Sequence, residues 1–595
     1  MSTFHFSPRA NRAAEINWRE WSEAAFAEAH AQNKPILLGI SAVWCHWCHV
    51  MDETTYSTPA VISLINERYL PIRVDNDRRP DVNARYNMGG WPTTALLTSD
   101  GEILKGGTYI PPDAMLALLD QIAAFYAKPD VRLAIAQRVA QLKRENADRP
   151  ILPRGGGLDA DTAANVEKVM SDSFDEQYGG FGDEPKFPQT ESLHFLLDLC
   201  ARGDDGRART MVQKTLHGMA GGGMYDRVEG GFFRYSTTRD YSVPHFEKML
   251  EDLSGLTLAC TRALALFEDP QLGQTAIDTK RYLDGSLWNA AYGAYGGSQD
   301  ADEAYYALDA AGRRTRPAPY VDPTVYTSWN AAAARALILS EPLLARAGIA
   351  ANGWIERGLV ILQTLWSKLL VDGMMCRYYD GKPQVRGLLG DQAWSIWAAL
   401  SAFSVTGEAV WLGRAGDLFA AAEALYDEEA AGYADRLAAA DETGRIKDKS
   451  IPLDDNALMA RALLAYADFT AQQRFRDRAH AVLAQHAARY RSLGTFAAGY
   501  AAAVLEAQSP PLDVKIVGSP DADAVRAMRA SAAGAAKPPL RIDTIDPKLE
   551  GARLSLAGYS NGTEPAAYLC RDGACFARVS AADDLAAELG KAASN

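Results

Sequence analysis

Trp44-Cys45-His46-Trp47-Cys48-His49 follows an apolar, strand-like run, Pro35-Ile36-Leu37-Leu38-Gly39-Ile40. Two cysteines separated by two residues can close a small disulfide or hold a metal ion. A strand running into such a pair is the setting of a redox dithiol. A helix beginning at the first cysteine aims its N-terminal amides and dipole at that sulfur, which favours thiolate over thiol. The second cysteine, about a turn along, can then resolve a mixed disulfide. On this reading Cys45 is the nucleophile, Cys48 is the resolving thiol, and a protonated His46 stabilises the Cys45 thiolate further. Three other readings share the pattern. Cys45-His46-Trp47-Cys48-His49 fits the C-x-x-C-H form of haem attachment, but neither an export signal nor a distal ligand is visible. A zinc site built on Cys45, Cys48, His46 or His49 lacks a second pair at matching spacing. An inert structural pair is the third. The redox reading fits best, and no metal or cofactor is expected.

The surrounding segments point the same way. Trp18 to Asn33 carries Trp18, Trp21, Ala25, Phe26 and Ala29 at helical spacing. Pro59 to Tyr69 reads as a helix with proline in its first turn. Leu70 to Asp75 and Thr93 to Thr98 read as strands, Ser99-Asp100-Gly101 as a turn, Glu102 to Leu104 as a fourth strand and Pro111 to Ala127 as a helix. This order is that of a thioredoxin-like sheet. Gly90-Trp91-Pro92-Thr93 falls where such a sheet places a cis-proline beside the dithiol, so Trp91-Pro92 is expected to be cis, with Pro92 part of the site.

At 595 residues the chain calls for two or three domains. It is 48% hydrophobic and 23% charged, the balance of a globular protein. A net charge of −14 argues against a nucleic-acid partner. No stretch reaches the roughly 20 apolar residues of a membrane span, and the polar start, Met1 to Asn17, shows no signal peptide. Seven cysteines with wide spacing do not form a disulfide framework. The expected compartment is the cytoplasm, where a disulfide is transient and catalytic.

Longer motifs carry a resemblance. Cys45 to Met51, Val74-Asp75, Arg79-Pro80-Asp81, Gly89-Gly90-Trp91-Pro92 and Gly106-Gly107-Thr108-Tyr109 resemble the spermatogenesis-associated thioredoxin-domain family. So do Pro185-Lys186-Phe187-Pro188, Gly230 to Tyr235, Pro244 to Leu250 and Thr327-Ser328-Trp329-Asn330. The resemblance implies an α/β thioredoxin-like domain fused to an all-α (α/α)6 toroid similar to N-acylglucosamine 2-epimerases. It brings no settled activity. Two departures stand out: the stretch from Asp81 to Gly89 is short, and Trp44 stands where the family more often has a small residue.

The multidomain layout is then a thioredoxin-like domain over 1–148, a linker over 149–157, a toroid over 158–510 and a small α/β tail over 511–595. In the toroid, Ala/Leu-rich helices alternate with Gly-aromatic turns such as Tyr178-Gly179-Gly180-Phe181 and Gly230-Gly231-Phe232, spaced as two-helix units. His245 and Glu247 follow one turn, Asp300 and Asp302 the next, and Trp329 and Asp391 open later helices. Carboxylates and aromatics round one mouth suit a carbohydrate, with acid/base pairs acting at the anomeric carbon. If the toroid binds a ligand, these six should converge on one cavity. The bland alternative is helix capping and dipole complementation. Epimerases of the similar fold use two histidines. Here His194, His217 and His245 lie early, while His480 and His486 sit within a helical run, so the second partner is missing.

Cys570 and Cys575 flank an Asp-Gly turn and read first as two strand cysteines, with a hairpin disulfide or second dithiol as the alternative. Cys200, Cys260 and Cys376 read as small buried side chains. The main expectation is a thiol–disulfide oxidoreductase or redox sensor acting on a protein disulfide or small thiol. The rivals are a carbohydrate-active enzyme in the toroid and a non-catalytic scaffold.

Overall fold

The computed structural model describes residues 4–147, 156–203, 206–439, 442–548, 550, 564–571 and 573–594. Most of the expected linker lies outside the described residues. The chain forms two units. The first comprises 1–151 with two returning segments, 298–302 and 434–450; the second takes the rest. The toroid segment is therefore not continuous from 158 to 510: two short stretches of it belong to the N-terminal unit.

In the first unit, α1 (Glu23–Gln32) is followed by β1 (Ile36–Ser41), α2 (His46–Glu53), α3 (Pro59–Arg68), β2 (Leu70–Asp75), α4 (Pro80–Tyr86), β3 (Thr93–Leu97), β4 (Ile103–Gly107), α5 (Pro112–Tyr126) and α6 (Pro129–Ala147). The sheet order is β2-β1-β3-β4. β1 and β2 are parallel, and β3 runs antiparallel to both β1 and β4. This is the thioredoxin-like sheet. β1 reads as a continuous apolar run because both its faces are covered: Ile36, Leu38 and Ile40 pack with Phe26 and Tyr86, and Leu37 packs on the other side with Met51 and Leu119. α1 begins later than its periodicity suggests. Ser22 caps it through Ala25 N–H, and Arg19 is extended beside β2, donating to Pro71 O and accepting from Arg73 N–H. α4 has no counterpart in the sequence reading.

The returning segment 434–450 is bound by named contacts. Arg85 pairs with Asp435 at 2.5 Å, Arg445 N–H donates to the buried Tyr86 hydroxyl at 2.7 Å, and Ile446 joins the core of this unit.

The second unit is a closed ring of helix hairpins. Its inner helices are α8 (Thr190–Ala201), α10 (Leu250–Phe267), α12 (Thr327–Arg346), α14 (Leu389–Thr406), α16 (Leu453–Thr470) and α18 (Ala498–Gln508). Each packs on the next, and α18 packs back on α8. Outer helices α9 (Arg207–Gly221), α11 (Pro270–Tyr282), α13 (Trp354–Lys368), α15 (Ala409–Ala422) and α17 (Gln473–His486) each pair with the inner helix before them. α7 (Thr162–Ser173) pairs with α18, so the start of the toroid closes its end. The architecture is an (α/α)6 toroid. Buried alanines on α12 and α14, among them Ala333, Ala334, Ala398 and Ala399, let inner helices approach on both sides.

The glycine-aromatic turns are held to inner helices by a repeated device. Lys186 Nζ bonds Asp175 at 2.6 Å and Gly179 O at 2.7 Å; Lys248 Nζ bonds Asp226 at 2.8 Å and Gly230 O at 2.9 Å. Further round, amides replace lysines. Asn330 accepts from Tyr295 N–H and donates to Tyr295 O and Tyr326 O, and Asn456 does the same for Tyr433 and Pro452. Gln392 clips Met375 and Leu388 in like manner.

The tail is more than a few strands. β5 (Leu512–Val517), α19 (Asp523–Ala533), β6 (Leu540–Ile545), β7 (Ala566–Arg571), β8 (Ala574–Val579) and α20 (Ala582–Ser594) form a sheet of order β6-β5-β7-β8. Its senses, parallel for β5/β6 and antiparallel for β5/β7 and β7/β8, repeat those of the N-terminal sheet. Cys570 and Cys575 face each other across β7 and β8 and are disulfide-bonded, which corrects the expectation of two unpaired strand cysteines. Among the described residues no helix is long and apolar enough to cross a membrane.

Candidate functional site

Cys45 leaves β1 in an extended conformation and is the N-cap of α2. Its sulfur accepts a hydrogen bond from Cys48 N–H at 3.2 Å, and it is joined to Cys48 in a disulfide. The expected helix start is thus present, with a backbone donor and the positive end of the helix dipole at the Cys45 sulfur. Both cysteines are buried, at 4% and 3% exposure, whereas Trp47 between them is 49% exposed. The Trp47 ring lies 5.6 Å from that of Tyr109 and 5.8 Å from that of His46.

The neighbouring loops are fixed by polar contacts. Trp44 Nε1 donates to Asp77 at 2.7 Å, and its ring meets Trp91 at 5.7 Å. Trp91-Pro92 is cis. The preceding turn needs Gly89, at φ +102°, so that Gly89 and Gly90 can both donate to Asn87 Oδ1. Behind the dithiol, Asp52 of α2 forms a buried bidentate pair with Arg73 at 2.8 and 2.9 Å.

His49 entered the sequence reading only as a zinc-ligand or haem-motif histidine, with no part in the redox site. Its Nδ1 lies 3.5 Å from Asp300, which the returning segment 298–302 brings into this unit. Burial, and after it His5, Arg73 and His46, pushes His49 down to about 3. The contact is therefore between a neutral ring and a carboxylate, not an ion pair. Among the described residues no three metal-ligating side chains cluster.

In the toroid a cavity of about 710 Å3 runs along the inner helices. Of the six residues expected to converge, Trp329 lines it. His245 and Glu247 pair with each other at 2.9 Å, and the His245 ring stacks on Tyr235, which stacks on the cavity-lining Phe187. Asp391 is buried and accepts from Ser328 N–H at 3.0 Å and Arg377 at 3.2 Å; burial pushes it up to about 6. It holds the helix start that carries Trp329. Asp300 and Asp302 lie in the first unit. The six do not form one set around the cavity. The wall instead carries Glu191, His194, Glu251, Asp252, Arg335 and Trp397, of which only His194 drew notice in the sequence.

Sheet order, a cysteine-capped helix and a cis-proline define the N-terminal unit as a thioredoxin-like domain with a Cys-x-x-Cys pair. Residues 7–145 match the Thioredox_DsbH family, described as a protein of unknown function, DUF255. The chain is 35% identical over 315 residues to spermatogenesis-associated protein 20 of Homo sapiens, covering 48% of this chain and 39% of that protein. It is 29% identical over 97 residues to a thiol:disulfide interchange protein, DsbD, of Campylobacter jejuni, covering 16% of this chain and 17% of that protein. The chain thus spans about two-fifths of the length of the human relative. A cellobiose 2-epimerase from Spirochaeta thermophila matches with a TM-score of 0.45 at 14% identity, over 58% of this chain and 84% of that one.

Proposed function

We propose that this chain exchanges thiols and disulfides through Cys45 and Cys48. The observation that carries the reading is the Cys45–Cys48 bond at the first turn of α2, with Cys48 N–H directed at the Cys45 sulfur. In the reduced protein the Cys45 thiolate attacks one sulfur of a substrate disulfide, and the other substrate sulfur leaves as a thiolate that takes up a proton. Cys48, deprotonated in turn, attacks the Cys45 sulfur, releases the second substrate thiolate and closes the disulfide. The substrate gains two electrons and the dithiol loses two, and an external dithiol restores it. The local likeness to a thiol:disulfide interchange protein supports the same chemistry. A protein disulfide or a small disulfide is the substrate class.

Trapping tests this. Cys48→Ser protein should accumulate a mixed disulfide on Cys45 when offered a protein disulfide, and Cys45→Ser protein should not. Equal trapping by both variants would remove the assigned roles. We also place the reaction in the cytoplasm, where a dithiol is kept reduced between turnovers. Cys570–Cys575 checks the compartment: it should be isolated as thiols from cells quenched in acid.

A further inference from the structure

The toroid cavity is layered. Each inner helix is followed or preceded by an outer one, so all six run the same way and their first turns gather at one end. Glu191, Glu251, Asp252 and Asp454 stand in those first turns and line the cavity with Trp329. Arg335 lies six residues beyond Trp329 on α12 and Arg461 seven beyond Asp454 on α16, about 10 Å deeper at the rise of a helix. At the far end the cavity is lined by Pro538 to Arg541 of the tail.

The deep layer is cationic, and its members differ in how they are satisfied. Arg262 and Arg461 are both bound to Asp198, at 2.6 and 3.1 Å, and Arg461 also to Glu506 at 3.0 Å. Arg335 has no such partner. Its guanidinium lies 3.7 Å over the Trp397 ring, whose surroundings also hold Arg461 at 4.7 Å. Among the described residues no carboxylate pairs with it, and its Nε is buried without a hydrogen bond. Burial and then the two neighbouring arginines push it down to about 9. A guanidinium held in a cavity beside two others, with its planar fork unused, is a receptor for a carboxylate or phosphate.

The remainder of the wall suits a polyhydroxylated ring. Trp329 and Trp394 put apolar ring surface on the wall, and the first-turn carboxyls accept from hydroxyls. Burial and the adjacent Glu251 charge push Asp252 up to about 7, so it can also donate. The volume, about 710 Å3, admits a monosaccharide derivative with water to spare. We infer that the toroid cavity is a binding site for a monosaccharide bearing an anionic group, with Arg335 receiving the anion and the first-turn carboxyls the hydroxyls.

Titration calorimetry with glucuronate, glucose 6-phosphate, glucose and inorganic phosphate on the full chain tests it. The expected result is saturable binding of at least one of the two anionic sugars, at least about tenfold tighter than glucose or phosphate alone. Arg335→Met should remove that preference while the melting temperature and the Cys45-dependent reduction of a disulfide stay as in the wild type. Should Arg335→Met fail to fold, Arg335→Lys keeps the charge without the fork, and a loss of at least about threefold is expected. No saturable binding of either anionic sugar, equal affinity for glucose, or unchanged affinity in the folded Arg335 variant overturns the assignment.

Discussion

Nδ1 of His49, the residue that follows the resolving cysteine, lies 3.5 Å from a carboxylate oxygen of Asp300. Its other ring nitrogen is buried and makes no hydrogen bond. Since His49 is pushed down to about 3, chiefly by burial, the ring stays neutral at working pH. A ring that is so hard to protonate is too weak a base to take the Cys48 proton, so the pair is read as holding α2 to the returning segment. Asp300→Asn and His49→Phe should therefore slow alkylation of Cys45 and release of its mixed disulfide alike, each by less than about threefold. Acid quenching and mass spectrometry separate the two steps, and slowing of release alone by about tenfold or more would instead give the pair a part in deprotonating Cys48. The release rate should also lack a histidine inflection near about pH 6.5, because the ring is already neutral there.

Cys45 should be the more reactive thiol of the reduced pair. Its sulfur carries the backbone donor and the helix terminus, whereas Cys48 supplies that donor. Limited iodoacetamide treatment at mildly acidic pH, followed by peptide mapping, should label Cys45 first. Preferential labelling of Cys48 would reverse the roles.

Acid should destabilise the toroid through Asp175. Burial opposes its charge, but Arg239 and Lys186, with the Gln177 and Tyr178 amides, outweigh burial and hold the carboxyl well below its usual range. A depressed native pKa gives stability that is complete above the unfolded value, about 4, and lost as pH falls through the native one. Urea unfolding should show the loss below about pH 4. Asp175→Asn should cost about 3 kcal/mol at neutral pH, because Lys186 stays buried without its partner. A variant as stable as wild type would contradict this.

Asn330 is read as a clip. It satisfies Tyr295 N–H, Tyr295 O and Tyr326 O at 2.9, 3.0 and 3.0 Å from a fully buried position. Asn330→Ala should lower toroid stability by about 2 kcal/mol in urea melts. It should leave disulfide reduction by Cys45 unchanged.

The thioredoxin-like sheet was legible because each of its signals is local: an apolar run before Cys45, a proline opening α3, a Gly-Gly-Trp-Pro turn before β3. α4 was missed because seven residues offer too little periodicity. The toroid's helices were legible from alanine-rich periodicity, but the mouth residues were not. Trp329 and Asp391 read as ligand groups, but Asp391 holds a helix start, as Asn330 and Gln392 beside them hold turns. Asp300 could not be placed from sequence, since its contact with His49 spans some 250 positions of chain. Arg335 drew no notice for a similar reason. Within Ala331 to Leu337 nothing marks which helix face turns to the axis of a ring that only closes in three dimensions.

Reduction of insulin by dithiothreitol, followed as turbidity, tests the central assignment most directly. The wild-type chain should shorten the lag in proportion to its concentration, and Cys45→Ser should return it to that of dithiothreitol alone. A Cys45→Ser variant as active as the wild type, or a folded wild type without effect, would contradict the assignment of Cys45 and Cys48 as an exchanging dithiol.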